Sequence, residues 1–189
     1  MWELNRYKDI QFLWNVNKKI PNFAPSLKNN YMLQRIQSLY LAIVAIACVL
    51  LFFFPLANYF NEIQGNYKLF IYGVTSMDPE PKVQFGSLFT LPLIALAIIS
   101  FLLSILTIFQ YKKRVLQMRI CSFNILINIV FIMVVFFFYA TKIKTLTQIE
   151  PEYNYFGMVL PLISIVLLLL ANNAIRKDES LVKSSDRLR

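Results

Sequence analysis

The 189-residue sequence is 58% hydrophobic and 15% charged, which excludes an ordinary soluble domain, since such domains are about half apolar and about a quarter charged. It contains no His, and therefore lacks the commonest metal ligand and the commonest general base. The net charge is +9, but the basic residues lie near the ends of apolar runs and do not alternate with aromatics, which argues against a nucleic-acid partner.

The first 31 residues differ in composition from the rest of the chain. They are polar and rich in Asn, and Pro21 and Pro25 would interrupt a continuous helix. We interpret residues 1–31 as a polar N-terminal extension and expect translation to begin at Met32, just before the first apolar run. The alternative interpretation of this segment is a disordered cytoplasmic arm.

Four stretches without any charged residue predict four membrane-spanning helices. They cover residues 36–61, 83–111, 120–141 and 153–175, and each exceeds the roughly 20 residues that a helix needs to cross the hydrocarbon core. Their central parts are apolar on every side, unlike a helix at the surface of a soluble protein. We predict an all-α membrane protein whose membrane domain covers residues 32–175. The four spans are expected at about residues 33–60, 87–109, 120–140 and 155–175.

The loop after the first span predicts a small outer β-hairpin, which completes the predicted fold, a four-transmembrane-helix bundle. Lys68–Thr75 is rich in strand-forming residues, Met77–Pro81 (MDPEP) has turn chemistry, and Lys82–Phe85 would form the returning strand. One interpretation of its aromatic residues is a docking surface, and the simpler one is an anchor at the membrane interface. These residues are Tyr67, Phe70, Tyr72 and Phe85.

The remaining extramembrane parts are a short loop and a charged tail. Residues 141–154 are predicted to form a short second outer loop that carries Glu150, Pro151 and Glu152. Residues 176–189 are predicted to form a helical cytoplasmic tail, because Glu179 and Lys183 make a favourable pair four residues apart.

The basic residues predict an orientation. The N-terminal segment, the middle loop and the tail carry 6, 4 and 5 Lys or Arg, against 2 in each of the other two loops. The positive-inside rule places the more basic side in the cytoplasm, with the Tyr111–Arg114 stretch (YKKR) as its strongest anchor. Both termini are therefore expected to be cytoplasmic.

Ordered polar residues in the second and third spans form the only candidate interior site, since the spans contain no Asp, Glu, Lys or Arg. Their spacing predicts that antiparallel helices would bring Ser104 and Thr107 level with Asn124. The simpler interpretation is a set of interhelical hydrogen bonds. The alternative is a polar site under the inner leaflet, joined by Asn172 and Asn173. The candidate cluster consists of Ser100, Ser104, Thr107, Asn124 and Asn128.

No other pattern indicates catalysis or ligand binding. Cys48 and Cys121 lie at different predicted depths and form no CxxC pair, so we interpret both as small core residues. We predict no catalytic residue, no metal site and no cofactor. A membrane enzyme is the least favoured class, because the usual bases and ligands are missing.

Three segments carry a family resemblance: MLQRIQSLYL (Met32–Leu41), FFPLA (Phe53–Ala57) and the tail AIRKDESLVKSSDRLR (Ala174–Arg189). They resemble a family of bacterial four-span inner-membrane proteins, a domain of unknown function found mainly in the Bacteroidota. The resemblance covers about Met32–Arg189 and implies a multi-pass protein of the bacterial inner membrane. It implies no activity and no catalytic residue.

The two cytoplasmic ends suggest a candidate interface for another subunit. The first span begins and the fourth span ends at this surface, so the Arg35 region and the acids of the tail are expected to meet there. The alternative is that these residues only anchor the helix ends. The candidate interface consists of Arg35, Gln37, Arg176, Asp178 and Glu179.

These observations predict a non-enzymatic accessory or scaffolding subunit of an inner-membrane complex. Its expected partners are the lipid bilayer and a membrane protein that docks on the outer hairpin or on the cytoplasmic ends. The alternative is a small transporter, channel or lipid-handling protein that uses the polar cluster.

Overall fold

The chain is described by a computed structural model that covers residues 26–61, 65–78, 83–86, 88–111 and 113–186, with the backbone alone at residues 26–35, 181, 182, 185 and 186. Within these residues the chain is mostly helical and carries one small antiparallel sheet. The N-terminal extension before Ser26 lies outside the described residues, so the predicted start at Met32 stays a prediction.

Four helices form most of the described chain. They are α1 (Ser26–Leu50), α2 (Leu91–Phe109), α3 (Arg114–Thr147) and α4 (Tyr155–Asp186). Three of them are long and apolar enough to cross a membrane, which indicates a membrane protein. The apolar part of α1, Ile36–Leu50, is shorter, so length and composition support three of the four predicted spans.

The helices pack in a ring. α2 lies between α1 and α3, α4 lies between α3 and α1, and no diagonal pair packs closely. We call the end that carries the β-sheet the sheet end, and the end that carries the connection between α2 and α3 the tail end. One buried core, around Leu56, Leu69 and Tyr139, lies toward the sheet end. A second, around Leu41, Cys48 and Leu168, lies toward the tail end.

The sheet joins the loops that connect α1 to α2 and α3 to α4. Its strands are β1 (Ala57–Tyr59), β2 (Tyr67–Phe70), β3 (Gly73–Ser76) and β4 (Glu152–Tyr153), in the order β3-β2-β1-β4. The first span predicted for residues 33–60 is therefore wrong at its outer end, because α1 stops at Leu50 and residues 57–59 form a strand. Proline at position 55 cannot supply a helical N–H, and it lies within this change of direction.

The hairpin exists, but its predicted strands and turn were wrong. β2 and β3 pair with Phe70 opposite Gly73, so the turn is Ile71–Tyr72, inside the stretch predicted as one strand. Val83–Phe85 is not a strand, and residues 79–82 of the predicted turn lie outside the described residues. Strand propensity marks residues that suit a sheet, but it does not show where a two-residue turn divides them.

The third helix is longer than predicted. It continues through residues 141–147, which were predicted as loop, and it ends where Gln148 adopts φ 58°, a left-handed cap. From Phe131 onward, buried positions repeat every four residues, at 131, 135, 139, 143 and 147. A repeat of four exceeds the 3.6 residues of an α-turn. The wider π-turn at Val134–Tyr139 keeps this stripe facing the core.

The last helix is continuous from the sheet end into the tail. α4 runs from Tyr155 to Asp186 and contains Pro161 in its second turn. Its first turn lies against the connection that follows α1, where a Cβ on Gly157 would strike the carbonyl of Pro55 and lie 3.0 Å from Leu56 Cα. Leu56 cannot easily withdraw, because its N–H donates to Leu69 O at 2.7 Å and its carbonyl accepts from Asn154 N at 3.0 Å.

We predict that Gly157→Ala lowers the free energy of unfolding by about 1–3 kcal/mol, the usual cost of forcing a group into a packed site. Gly73→Ala is the matched control, because a Cβ at Gly73 meets nothing within 4 Å, and its effect should stay within about 0.5 kcal/mol. Denaturation of both variants in detergent measures the difference. Equal stability of the two variants would contradict the close approach of α4 to Leu56.

Candidate functional site

The centre of the predicted polar cluster is Asn124 of α3, which reaches across to α2. Its Nδ2 donates to Ser104 Oγ at 2.8 Å and to the Ser100 carbonyl at 3.2 Å, and its Oδ1 accepts from Ser100 Oγ at 2.8 Å. All three residues are buried. The spacing of four between the serines presents both to one point on α3, because residues four apart share a helix face.

Two further side chains join the cluster around Ser100. Asn128, one turn beyond Asn124, donates from Nδ2 to Ser100 Oγ at 2.9 Å. Cys48 of α1 lies on the other side, with its Sγ 3.5 Å from Ser100 Oγ. Cys48 was predicted as a core residue, and its contact with Ser100 links a third helix to the cluster. We call Ser100, Ser104, Asn124 and Asn128 together the Asn–Ser network.

Thr107 is buried but lies apart from the Asn–Ser network. Its hydroxyl donates to the Leu103 carbonyl of its own helix at 2.6 Å. The residue facing it is Gln117, whose Nε2 donates to the Thr107 carbonyl at 3.0 Å. The prediction that Thr107 lies level with Asn124 was wrong. Because the two helices are antiparallel, a residue later in α2 faces a residue earlier in α3, so Ser100 faces Asn124 and Thr107 faces Gln117. Gln117, a polar residue in the first turns of α3, is a hydrogen-bond partner of Thr107 that the sequence did not predict.

The asparagines predicted at the base of the fourth span do not join the Asn–Ser network. Asn172 Nδ2 donates to Ser122 Oγ at 3.2 Å, on a different face of α3, and Asn173 is exposed. Cys121 also faces α4, with its Sγ 3.2 Å from the Leu168 carbonyl. The polar groups of α3 are therefore divided between a face toward α2 and a face toward α4.

The Asn–Ser network offers neutral hydrogen-bonding groups that are occupied with one another. Such bonds hold helices in register in an apolar environment, where each is worth about 1 kcal/mol. Within the described residues, no three His, Cys, Asp or Glu side chains lie close enough to hold a metal ion.

The tail end carries an ion pair that connects α3 to α4. Arg114 Nη2 lies 3.2 Å from Asp178 Oδ2, and Arg114 Nη1 donates to the Asp178 carbonyl at 3.0 Å. Asp178 has a side-chain exposure of 7%, so the pair is largely shielded on that side. Sequence reasoning treated Arg114 only as part of the basic YKKR anchor. The available signal was Asp178, an acid that directly follows two bases of the tail.

The predicted cytoplasmic interface is partly used inside the chain. Asp178 and Gln37 are both buried, and with Arg114 they line one small enclosed cavity. Glu179 Oε1 accepts an ion pair from Lys183 Nζ at 2.9 Å on its own helix. Arg176 is exposed, and the side chain of Arg35 lies outside the described residues. Gln37 and Asp178 line the same cavity, and Arg114 is the ion-pair partner of Asp178. The predicted meeting of Arg35 with the acids of the tail stays a prediction.

The aromatic residues of the sheet end divide into buried and exposed groups. Tyr67 is 1% exposed, packs edge-on against Phe85 at 6.0 Å, and accepts a hydrogen bond from Val83 N at 3.3 Å. Phe70 and Tyr72 stack at 5.1 Å beside the hairpin turn, and Tyr72 is 49% exposed. Tyr67 thus supports the sheet from within, while Tyr72 remains available at its surface.

Tyr59 of β1 is fully buried, and its hydroxyl has no hydrogen-bond partner among the described residues. Burial raises its pKa above the usual range, and the nearby Tyr153 raises it further. Burial also raises the pKa of Tyr153, with an added contribution from Glu150. Both phenols therefore stay neutral at physiological pH.

We predict that Asn124→Leu lowers the free energy of unfolding by about 1–3 kcal/mol, because it removes the interhelical hydrogen bonds to Ser100 and Ser104. Asn128→Leu should cost less, about 1 kcal/mol, since its hydrogen bond across the interface goes to Ser100 alone among the described residues. Asn173→Leu, at an exposed position, is the control. Unfolding in mixed detergent micelles measures all three. Equal effects for Asn124→Leu and Asn173→Leu would contradict a structural role.

Comparison with known proteins identifies the family. No curated protein and no solved structure matches the chain. One family model, described as "Domain of unknown function (DUF4293)", matches residues 33–188, which is most of the sequence. This match confirms the resemblance to an uncharacterised family, which was based on the two ends of the domain. The chain therefore belongs to the DUF4293 family, a domain of unknown function.

Proposed function

We propose that the chain is a four-span protein of the bacterial inner membrane that acts as a non-enzymatic scaffolding or accessory subunit of a membrane complex. The observation that carries the proposal is the difference between the polar groups inside the helix ring and the aromatic groups at the sheet end. The interior polar groups hydrogen-bond to one another, whereas an aromatic surface at the sheet end stays exposed.

The packing of α1 supports a fourth span. At 25 residues, α1 is about 38 Å long, which exceeds the hydrocarbon thickness of about 30 Å. It packs against both α2 and α4, two helices that are long and apolar enough to cross a membrane. A helix that completes a ring with such neighbours shares their surroundings. In this proposal the sheet lies on the periplasmic side of the membrane and the tail end lies in the cytoplasm, as the distribution of basic residues favours.

The Asn–Ser network favours a scaffold over a transporter or channel. A transport path needs polar groups that face a cavity and remain free to bind a passing solute. Here Asn124 uses both its amide nitrogen and its oxygen on α2, and the surrounding residues are buried. If Asn124→Leu left assembly intact but abolished movement of a solute, the transporter alternative would replace the scaffold.

The sheet end is the better docking surface of the two that the sequence offered. Two candidate residues at the tail end, Gln37 and Asp178, are buried within the chain itself. At the sheet end, Phe60, Tyr72 and Met77 are 50%, 49% and 59% exposed. Aromatic residues and Met are enriched at the core of protein interfaces, where they exclude water at low entropic cost.

We expect affinity purification of the full chain in mild detergent to recover a specific membrane-protein partner, and Tyr72→Ser with Met77→Ser to reduce its recovery by about tenfold, as for loss of a hot spot. Tyr155→Ser is the matched control, because Tyr155 is an exposed aromatic at the same end but outside the hairpin. Mass spectrometry of the purified material measures recovery. A chain that purifies alone, or a partner retained by the double variant, would contradict docking through the hairpin.

The orientation has its own test, because Cys48 and Cys121 are both buried and should react little with a thiol reagent. We expect Thr75→Cys to react with a membrane-impermeant maleimide in intact spheroplasts. Ser180→Cys, on the exposed side of α4, should react only after the membrane is opened. The reverse pattern would show that the sheet faces the cytoplasm.

A further inference from the structure

A groove between α3 and α4 is lined by side chains that neither the Asn–Ser network nor the sheet uses. Its volume is about 560 Å³ and it opens to the side of the helix ring. Arg119 and Arg176 contribute one charged side chain from each helix. The apolar part of the lining comes from α3. We call this space the Arg119–Arg176 groove, and five of its lining residues carry the inference: Arg119, Ser122, Phe123, Leu126 and Arg176.

The charged and apolar residues of the groove are ordered along α3. Arg119, Phe123 and Leu126 follow one another at spacings of four and three, so they form one stripe on the helix face. Leu126 lies about 10 Å further from the tail end than Arg119, at 1.5 Å per residue. The two arginines therefore lie near the end of the ring, and the apolar wall continues toward its middle.

The arginines are available for an anion. Among the described residues, the acids near Arg176 have other partners, since Asp178 pairs with Arg114 and Glu179 pairs with Lys183. Both Arg119 and Arg176 are exposed, and none of the groove's described lining residues is acidic. A guanidinium offers two parallel N–H groups to a phosphate, which makes arginine well suited to bind phosphodiesters.

Ser122 adds a neutral donor to the same groove. Its Oγ accepts a hydrogen bond from Asn172 Nδ2 at 3.2 Å, which leaves its own O–H to donate. Asn172 is buried, so it contacts the Ser122 hydroxyl from the interior of the protein. Ser122 and Arg119 are three residues apart on α3 and can therefore address the same group.

We propose that the Arg119–Arg176 groove binds an anionic phospholipid. Its phosphodiester takes the two guanidinium groups and the Ser122 hydroxyl, and one acyl chain lies along Phe123 and Leu126. The groove has a charged end at headgroup depth and an apolar end at acyl-chain depth, the order of groups in a phospholipid. Basic pockets between membrane helices on the cytoplasmic side bind such headgroups. This inference rests on the membrane-spanning part of the proposed function.

A lipid fits these residues better than a soluble anion or a protein segment. A free phosphate would use the arginines but would leave Phe123 and Leu126, which are 52% and 53% exposed, without a partner. A non-helical protein segment entering from the side would leave backbone groups unsatisfied in an apolar environment, which costs several kcal/mol per group. An acyl chain has no such groups.

The test is a titration of the purified full chain with phosphatidylglycerol in neutral detergent, with bound lipid counted by native mass spectrometry. Arg119→Gln and Arg176→Gln should each weaken binding about 5-fold, and the double variant about 25-fold, as expected for one surface charge each. Lys113→Gln is the matched control: Lys113 is an exposed base at the same end but outside the groove. Its effect should stay within about 2-fold.

Three comparison ligands and one further variant decide the outcome. Phosphatidylcholine should bind at least about 5-fold more weakly, and inorganic phosphate and glycerol phosphate should not compete. Phe123→Ala, which keeps both arginines, should weaken lipid binding a few-fold and remains informative if the arginine variants fail to fold.

Equal binding of phosphatidylcholine, equal binding by the double arginine variant, or efficient competition by inorganic phosphate would each overturn the proposal. A dimer that dissociates in the arginine variants would show that a second copy fills the groove instead. Loss of lipid with partners still co-purifying supports the lipid site and leaves the scaffold proposal standing. An unmodified chain that binds phosphatidylglycerol but co-purifies with no partner would count against the scaffold alone.

Discussion

The hydrogen bonds between Asn124 and the Ser100–Ser104 turn are the contact on which the other interhelical contacts depend. They fix the position of α3 along α2, because the Asn124 amide donates to one serine of α2 and accepts from the other. A shift by one residue would turn these polar groups toward apolar surroundings, where an unpaired donor is costly. This register also brings Gln117 to the Thr107 carbonyl. It leaves the opposite face of α3 to contact α4.

The sheet end closes the ring by a different kind of contact. The connection after α1 is hydrogen-bonded on one side to β2 and on the other to the residue before α4. Backbone bonds of this kind are insensitive to side-chain identity, but they require close approach, which only Gly157 permits at the start of α4. The ends of two helices are thereby joined although nearly a hundred residues separate them.

The arginines of the tail end differ in what surrounds them. Arg114 is committed to Asp178 and connects α3 to α4, whereas Arg119 and Arg176 lie at the surface of the neighbouring groove. A charge that is paired and half-buried stabilises the fold, and a charge that is exposed beside an apolar wall is free to meet another molecule. The same positive-inside pattern thus contains both structural residues and candidate binding residues, and the sequence alone treats them alike.

The sequence by itself determined the apolar helices, the polar stripes on two of them, the existence of a hairpin and the family. Hydrophobicity and helical spacing are local properties, and they are readable residue by residue. Only the tertiary structure decided that residues 57–59 leave the first helix for a strand, that the hairpin turns at Ile71–Tyr72, and that α3 continues to Thr147. It also decided that Arg114 pairs with Asp178 and that Gln117 faces Thr107. Those outcomes depend on which residues from distant segments contact each other. The free energy of such contacts depends on both segments, so no single stretch of sequence determines it.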